Sequence, residues 1–329
     1  MELIQSEEFF ELRNQLKDKL FLSRCSAYSS HAFATLALCA LCGTIIVSGT
    51  GFWTQVANAM LLAFAFGQAG LLMHALAHGQ IIGSRWQGVL YATTDLLLGW
   101  CTKGWKLKHE AHHASPNSDE DPDIHLGFIA LTHAQAQTKQ GLYRFTTRYQ
   151  HLLLPLLLLF MAPHLRYASI RYALKQEMAW ALVSVCLMGV HMAAYLWMLF
   201  FFLPIWTAIA FAAVHNGLLG LYLGGAFVVN HTGRPIEERP GIAGDYLRVQ
   251  VETARNISGG WWATALFGGL NFQIEHHLFS GMPHYNLRKA TGIVRPFCEA
   301  RDITYRSVGL CAAYREVYRH LRDVAQAAN

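Results

Sequence analysis

Two long blocks of this chain carry no charged side chain: from Cys25 to Ser84, and again from Met178 to Gly233, there is no Asp, Glu, Lys or Arg. Few folds tolerate that. A helix crossing the hydrocarbon core of a bilayer needs about 20 apolar residues, and each block has room for two. Only 14% of residues are charged and 53% are hydrophobic, whereas a soluble domain carries about a quarter charged residues. The chain therefore reads as an all-α polytopic membrane protein with four transmembrane helices arranged as two hairpins. These run roughly over 30–49 with 55–75 and 179–203 with 205–229.

The basic residues orient the hairpins. Lys103, Lys106, Lys108, Lys139, Arg144, Arg148, Arg166, Arg171 and Lys175 lie between the blocks, and eight arginines and lysines from Arg288 to Arg322 follow the second. The turns near Ser48–Thr54 and Leu203–Pro204 carry no charge. By the positive-inside rule both termini and the middle segment are expected in the cytoplasm. The resulting single domain divides into an amphipathic N-terminal arm (1–29), a first hairpin (30–75), a cytoplasmic or interfacial segment (76–178), a second hairpin (179–230) and a cytoplasmic C-terminal segment (231–329). Phe9, Phe10, Leu12, Leu16 and Leu20 of the arm fit a helix on the membrane surface or an ordinary solvated one. The arm lacks the basic-then-apolar order of a cleavable signal. Two further apolar stretches, Trp86–Trp100 and His151–Pro163, are short for a span and are expected in the interface or beneath the cytoplasmic portion. Cys39 and Cys42 form a C-x-x-C inside an apolar run, which suits packing better than redox or metal chemistry.

The 17 histidines carry the chemistry. His74 and His78 stand four residues apart, on one helix face. His109, His112 and His113 fall within about 100° of arc on a helix. Three imidazoles on one side gain little from packing together and repel if protonated, which favours metal binding. His276 and His277 are adjacent, with Gln273 one turn earlier, and His231 ends the fourth expected span. All four sites come out on the face assigned from lysines and arginines alone. Eight histidines and Gln273 exceed the four ligands of a tetrahedral zinc and suit two ions of higher coordination number, for which imidazole is a fitting ligand. The alternative His-Glu-x-x-His zinc protease reading uses His109, Glu110 and His113. It leaves His74, His78, His112, His276 and His277 without a role.

These motifs resemble the membrane-bound fatty acid desaturases, in the subgroup whose third histidine box is Gln-x-Glu-His-His. WKLKHEAHHASPNSDEDPDI (Trp105 to Ile124) is similar to the family's second box and the segment after it, and GGLNFQIEHHLFSGMPHYNL (Gly268 to Leu287) to its third. Departures are Ala75, where the first box usually has Asp, and Ser280 and His284-Tyr285 after the third. The resemblance implies a cytoplasmic helical cap holding two Fe ions on His74, His78, His109, His112, His113, His231, His276 and His277, with Gln273 bound directly or through water. His125, His215 and His284 are expected to be structural or to support the ligands.

By the same resemblance the chain is an O2-dependent acyl desaturase acting on an acyl lipid or a carrier-bound acyl chain. Many relatives carry a fused cytochrome b5 domain with a His-Pro-Gly-Gly motif. That motif is missing here, so a separate electron donor of ferredoxin or cytochrome b5 type is expected. Membrane lipid is the expected surroundings, and no nucleic acid is expected as partner. A hydroxylase, an acetylenase or a desaturase of a non-lipid metabolite would use the same scaffold. Ligand imidazoles need acceptors on their other ring nitrogens, for which Glu110, Asp119, Asp121, Asp123 and Glu275 are the candidates. Trp100, Trp105, Trp261 and Trp262 fit either a substrate tunnel or an aromatic belt at the headgroups.

Overall fold

A computed structural model describes residues 5–22, 25–81, 86–175, 177–236 and 245–328. Among these, helices dominate, and the only sheet is a two-stranded parallel pair, Asn256–Ser258 with Ser307–Gly309. Four helices are long and apolar enough to cross a membrane: Ser26–Val47, Phe52–Ala77, Ala179–Phe202 and Ile205–His231. They match the two expected hairpins. The chain clusters into two compact units, one of Arg24–Leu107 and Leu158–Gly225, the other of Met1–Ser23, Lys108–Leu157 and Ala226–Asn329.

In the first unit, Cys42, Ile46, Ala59, Leu62, Tyr195, Leu199, Ala208 and Phe211 form a core between the hairpins, while Phe33, Trp53, Trp197, Phe201 and Trp206 point outward. Aromatic and aliphatic groups turned outward around an apolar core are the inverse of a soluble surface and suit a lipid environment. Two polar side chains inside tie the helices together. Asn58 Nδ2 donates to the Cys42 carbonyl at 3.0 Å and Gln55 Nε2 to the Ile45 carbonyl at 2.8 Å, so the second helix grips the backbone of the first where no water competes. Cys42 is buried, and Cys39 and Cys42 are free thiols, in keeping with a packing role.

The short apolar stretches are helical but are not spans by themselves. The first is Gln87–Leu98, ended by Gly99 at φ +67, a left-handed conformation that glycine adopts without strain. The second covers Gln150–Leu158 and Met161–Ala173, two helices bent by 71° to one another, either a broken span or a re-entrant loop. A Cβ added at Gly220 of the last span would stand 2.5 Å from the Leu158 carbonyl oxygen and 3.0 Å from the Ala162 nitrogen. Only a residue without a side chain lets the bend approach that closely.

In the second unit the N-terminal helix Glu7–Gln15 begins on a Ser6 cap, whose hydroxyl accepts from the Phe9 amide. Its apolar stripe packs against protein: Phe9, Leu12, Leu16 and Leu20 are buried with Leu247, Val251, Ile274, Leu278, Met282, Leu287 and Val294. The C-terminal helix Leu310–Ala325 buries Ala313, Val317, Leu321 and Val324. Its Glu316 pairs with the fully buried Arg255 and with Arg306, and Arg255 also donates to the Thr232 carbonyl just beyond His231.

Candidate metal centre

Local rules set the helix that carries the densest histidines, Thr102–Ala114. The Asp95 carboxylate accepts from the Thr102 amide at 2.7 Å, capping its start. Pro116 follows two residues after its end and stops it. The chain then turns at Asn117, in left-handed backbone at φ +56, which asparagine tolerates better than most residues. The Asn117 amide donates to Asp121 Oδ2 at 2.8 Å, and its side chain to the His231 and Pro235 carbonyls, each at 3.2 Å. Box two is thereby tied to the end of the last span.

Six of the sequence-designated histidines converge in the second unit as two neighbouring trios. In one, the ligand atoms of His112, His231 and His277 all lie within 4.8 Å of one another. Their ring centroids are 4.7 Å (His112–His231), 5.0 Å (His112–His277) and 4.7 Å (His231–His277) apart. In the other, His109, His113 and His276 present ligand atoms at the same mutual spacing, with His113 Nε2 3.1 Å from His109 Nε2. The stacked rings of His113 and His277, 4.2 Å between centroids, join the trios. In the first unit, His74 and His78 sit one turn apart at the end of the Phe52–Ala77 helix, ring centroids 4.7 Å apart, with Trp105 against His74. Burial first, then the nearby Lys106 charge, lowers the pKa of His78 to about 4, so it stays neutral at physiological pH, as a ligand must.

The donors fit a metal. His112 Nδ1 meets Asp121 Oδ2 at 2.8 Å, His231 Nδ1 the Thr253 carbonyl at 3.1 Å, and His277 Nδ1 the Gln250 Oε1 at 2.8 Å. Each partner accepts, so each Nδ1 carries the proton and each Nε2 keeps its lone pair. Nε2 of His277, on a residue 1% exposed, has no hydrogen-bond partner among the described residues. A buried imidazole lone pair without a donor is costly unless a cation takes it. Burial first, then the surrounding imidazoles, drives the His277 pKa well below the usual histidine range. At His112 burial acts downward too, but Asp121 and then Asp123 outweigh it and the pKa rises. That carboxylate partnership strengthens a ligating imidazole.

The remaining designated residues divide. Gln273 is buried and presents its amide nitrogen to His231 Nε2 at 3.1 Å, while its Oε1 accepts from Asn230 Nδ2 at 3.1 Å. Among the candidate acceptors, Asp121 reaches a ring directly, and Asp123 lies 3.7 Å from the same Nδ1 while pairing with Lys108 at 2.5 Å. Glu110 and Asp119 are exposed. Glu275 is fully buried but held elsewhere, accepting from Tyr305 at 2.6 Å and Asn256 at 2.8 Å, and burial raises its pKa to about 7. His125 bonds the Asp119 carbonyl and His215 the Tyr195 hydroxyl. Trp100 is buried, whereas Trp261 and Trp262 are exposed. Gln250 and the Thr253 carbonyl had no motif to mark them. Their one sequence signal is the set of apolar residues Tyr246, Leu247, Val249 and Val251 around them, behind a capping Asp245.

The chain matches the family described as "Fatty acid desaturase" over residues 51–309. The chain belongs to the fatty acid desaturase family. Among curated proteins it is 30% identical to the acyl-lipid (9-3)-desaturase of Physcomitrium patens, over 98% of this chain and 63% of that protein. It is 29% identical to the Delta(5) fatty acid desaturase fat-4 of Caenorhabditis elegans, over 82% of this chain and 64% of the relative. A Delta(8)-fatty-acid desaturase of Borago officinalis is 27% identical over 87% of this chain and 68% of its own length. The chain thus spans under two thirds of the first two relatives. The family supports the histidine-box reading over the protease reading, which needs the exposed Glu110 as its base.

Proposed function

We propose that this desaturase-family protein introduces a double bond into a fatty acyl chain, using O2 and two Fe ions held by the two histidine trios together with His74 and His78. The observation that carries the reading is the convergence of His112, His231 and His277, whose ligand atoms lie within 4.8 Å of one another and whose Nδ1 atoms each meet an acceptor, which leaves each Nε2 lone pair for a metal. Relatives whose names specify acyl-lipid, Delta(5) and Delta(8) fatty acid desaturation support the substrate class.

When bound, the metal pair supplies, from dioxygen and two external electrons, an oxidant strong enough to attack an unactivated methylene, which no side chain provides. The protein's residues do the rest. Asp121, Thr253 and Gln250 hold the imidazoles in the ligating tautomer. Burial of His112, His276 and His277 keeps bulk water from the reacting centre. Direct ligation by the Gln273 oxygen requires its amide to turn over, since the nitrogen faces His231. The substrate chain binds by burying methylenes, each contributing about 0.8 kcal/mol, so a long chain needs no strong polar anchor. Electrons come from a donor of ferredoxin or cytochrome b5 type.

Topology supports a single membrane face for the ligands. His112 and His231 rings lie 4.7 Å apart, so the chain between them crosses the bilayer an even number of times. It holds two full spans and the bent Gln150–Leu158 and Met161–Ala173 pair, which on this count re-enters without crossing. The excess of Lys and Arg in the intervening segment assigns that face, and both termini, to the cytoplasm.

The test is expression in a host of simple lipid composition with a ferredoxin system, followed by mass spectrometry of the fatty acids and of deuterated precursors. A new alkene with loss of two deuteriums from adjacent carbons is expected. A hydroxylated product makes the protein a hydroxylase, and no oxygen-dependent product removes the proposal.

A further inference from the structure

The histidine boxes alone do not account for the geometry of the centre. A segment without a single histidine, Tyr246 to Thr253, touches three of its parts. The Tyr246 hydroxyl donates to the His277 carbonyl at 3.1 Å. The Thr253 carbonyl takes the His231 Nδ1 proton and also accepts from Asn117 Nδ2 at 3.4 Å. Between them Gln250, fully buried, bridges box two and box three, whose helix is Gln273–Leu278: its Nε2 donates to the His113 carbonyl at 2.8 Å and its Oε1 accepts from His277 Nδ1 at 2.8 Å.

The bridge has one orientation. A peptide carbonyl only accepts, so the amide end facing His113 is the NH2 and the end facing His277 is the oxygen. His277 Nδ1 must then be protonated, and its lone pair lies on Nε2, inside the trio. Turning the amide over would set oxygen against oxygen at His113. The segment is itself rigidly held. Asp245 Oδ1 caps the short Tyr246–Glu252 helix through the Leu247 and Arg248 amides, and Leu247 and Val251 are buried in the core with Ile274 and Leu278 of the box-three helix.

We propose that Gln250 is a positioning residue of the metal centre, which fixes the ligating tautomer of His277 by exploiting the box-two backbone as its reference. The proposal rests on the metal-binding reading above and extends it to a residue outside every histidine motif. Gln250 touches neither substrate nor metal and acts through His277.

The experiment compares Gln250→Leu, Gln250→Glu and Tyr246→Phe in the purified full chain, measuring iron per chain, apparent Fe2+ affinity, and the Mössbauer quadrupole splittings. Leu removes both bonds. Glu keeps an oxygen acceptor on His277 Nδ1 but puts an oxygen in place of the donor to the His113 carbonyl, which breaks that tie. Phe removes a bond to the same residue's backbone without touching its ring. Loss of a hydrogen-bond partner of a ligating histidine typically lowers metal affinity 10–100-fold. The expected result is that order of loss in Gln250→Leu, a full iron complement with one shifted doublet in Gln250→Glu, and an unchanged spectrum in Tyr246→Phe. Wild-type iron content and spectrum in Gln250→Leu overturns the proposal. Equal loss in the Leu and Glu variants, or failure of both to fold, assigns Gln250 to scaffolding and overturns it as well. Wild-type protein without iron would instead sink the metal reading, so the two failures are distinguishable.

Discussion

Buried histidines occur in two settings in this protein, and the contrast defines what a metal site requires. His191 and His215 lie within membrane-spanning helices. His191 Nδ1 bonds the Leu96 carbonyl at 3.0 Å and His215 Nδ1 the Tyr195 hydroxyl at 2.8 Å, and the Nε2 of each has no hydrogen-bond partner among the described residues. His277 matches that description, with one nitrogen fixed and the other open. What differs is the company of the open nitrogen. His215 looks onto the rings of Phe66 and Phe211, at 4.9 and 6.3 Å, whereas His277 is ringed by His112, His113, His231 and His276. Neither His191 nor His215 joins a metal-sized group among the described residues. Burial and an unpartnered ring nitrogen are common to both settings. Convergence of several lone pairs separates them.

The largest effect that could break this contrast is at His277. His277→Ala, like His112→Ala, is expected to abolish product formation and lower bound iron while the protein still inserts in membranes, checked by elemental analysis of the membrane-extracted protein. Full activity in either variant contradicts ligation. Asp121→Asn keeps an acceptor oxygen but loses the charge behind His112. It should weaken iron binding about tenfold, at the mild end of such changes, as read from Fe2+ titration. On the other side of the contrast, His215→Phe should leave iron per chain unchanged. Its cost appears in thermal unfolding, about 1–3 kcal/mol for leaving the Tyr195 hydroxyl buried without its partner; loss of iron there would erase the distinction. The smallest effect belongs to Glu110→Gln. The carboxylate is exposed, so activity should stay within about twofold of wild type, the size of an ordinary surface change of up to ±0.5 kcal/mol. Complete loss with zinc retained would revive the protease reading.

The same contrast explains what the sequence disclosed. The spans were legible because charge-free blocks have one physical outlet, and the first two histidine boxes because ligands at i,i+3 and i,i+4 share a helix face before any tertiary contact forms; the sorting of histidines into two trios was not legible. His231 was visible only through its position at a span's end. The groups that orient the ligands were legible in part. Asp121 stood undistinguished among five candidate acids, and Glu275 next to His276 proved to serve Tyr305 and Asn256 instead. Gln250 and Thr253 were invisible, because a neutral amide and a peptide carbonyl acquire their role through contacts 22 to 137 residues away along the chain. The N-terminal stripe fitted either water or lipid on one side, and its burial against the box-three helix and its neighbours follows from a partner surface more than 200 residues distant.

Counting metal in the purified protein bears most directly on whether these imidazoles hold a pair of ions. Iron reconstitution followed by elemental analysis and Mössbauer spectroscopy should give two irons per chain in nitrogen-rich sites, both lost together in His277→Ala. A single zinc per chain, or no tightly bound metal in folded protein, would contradict the account.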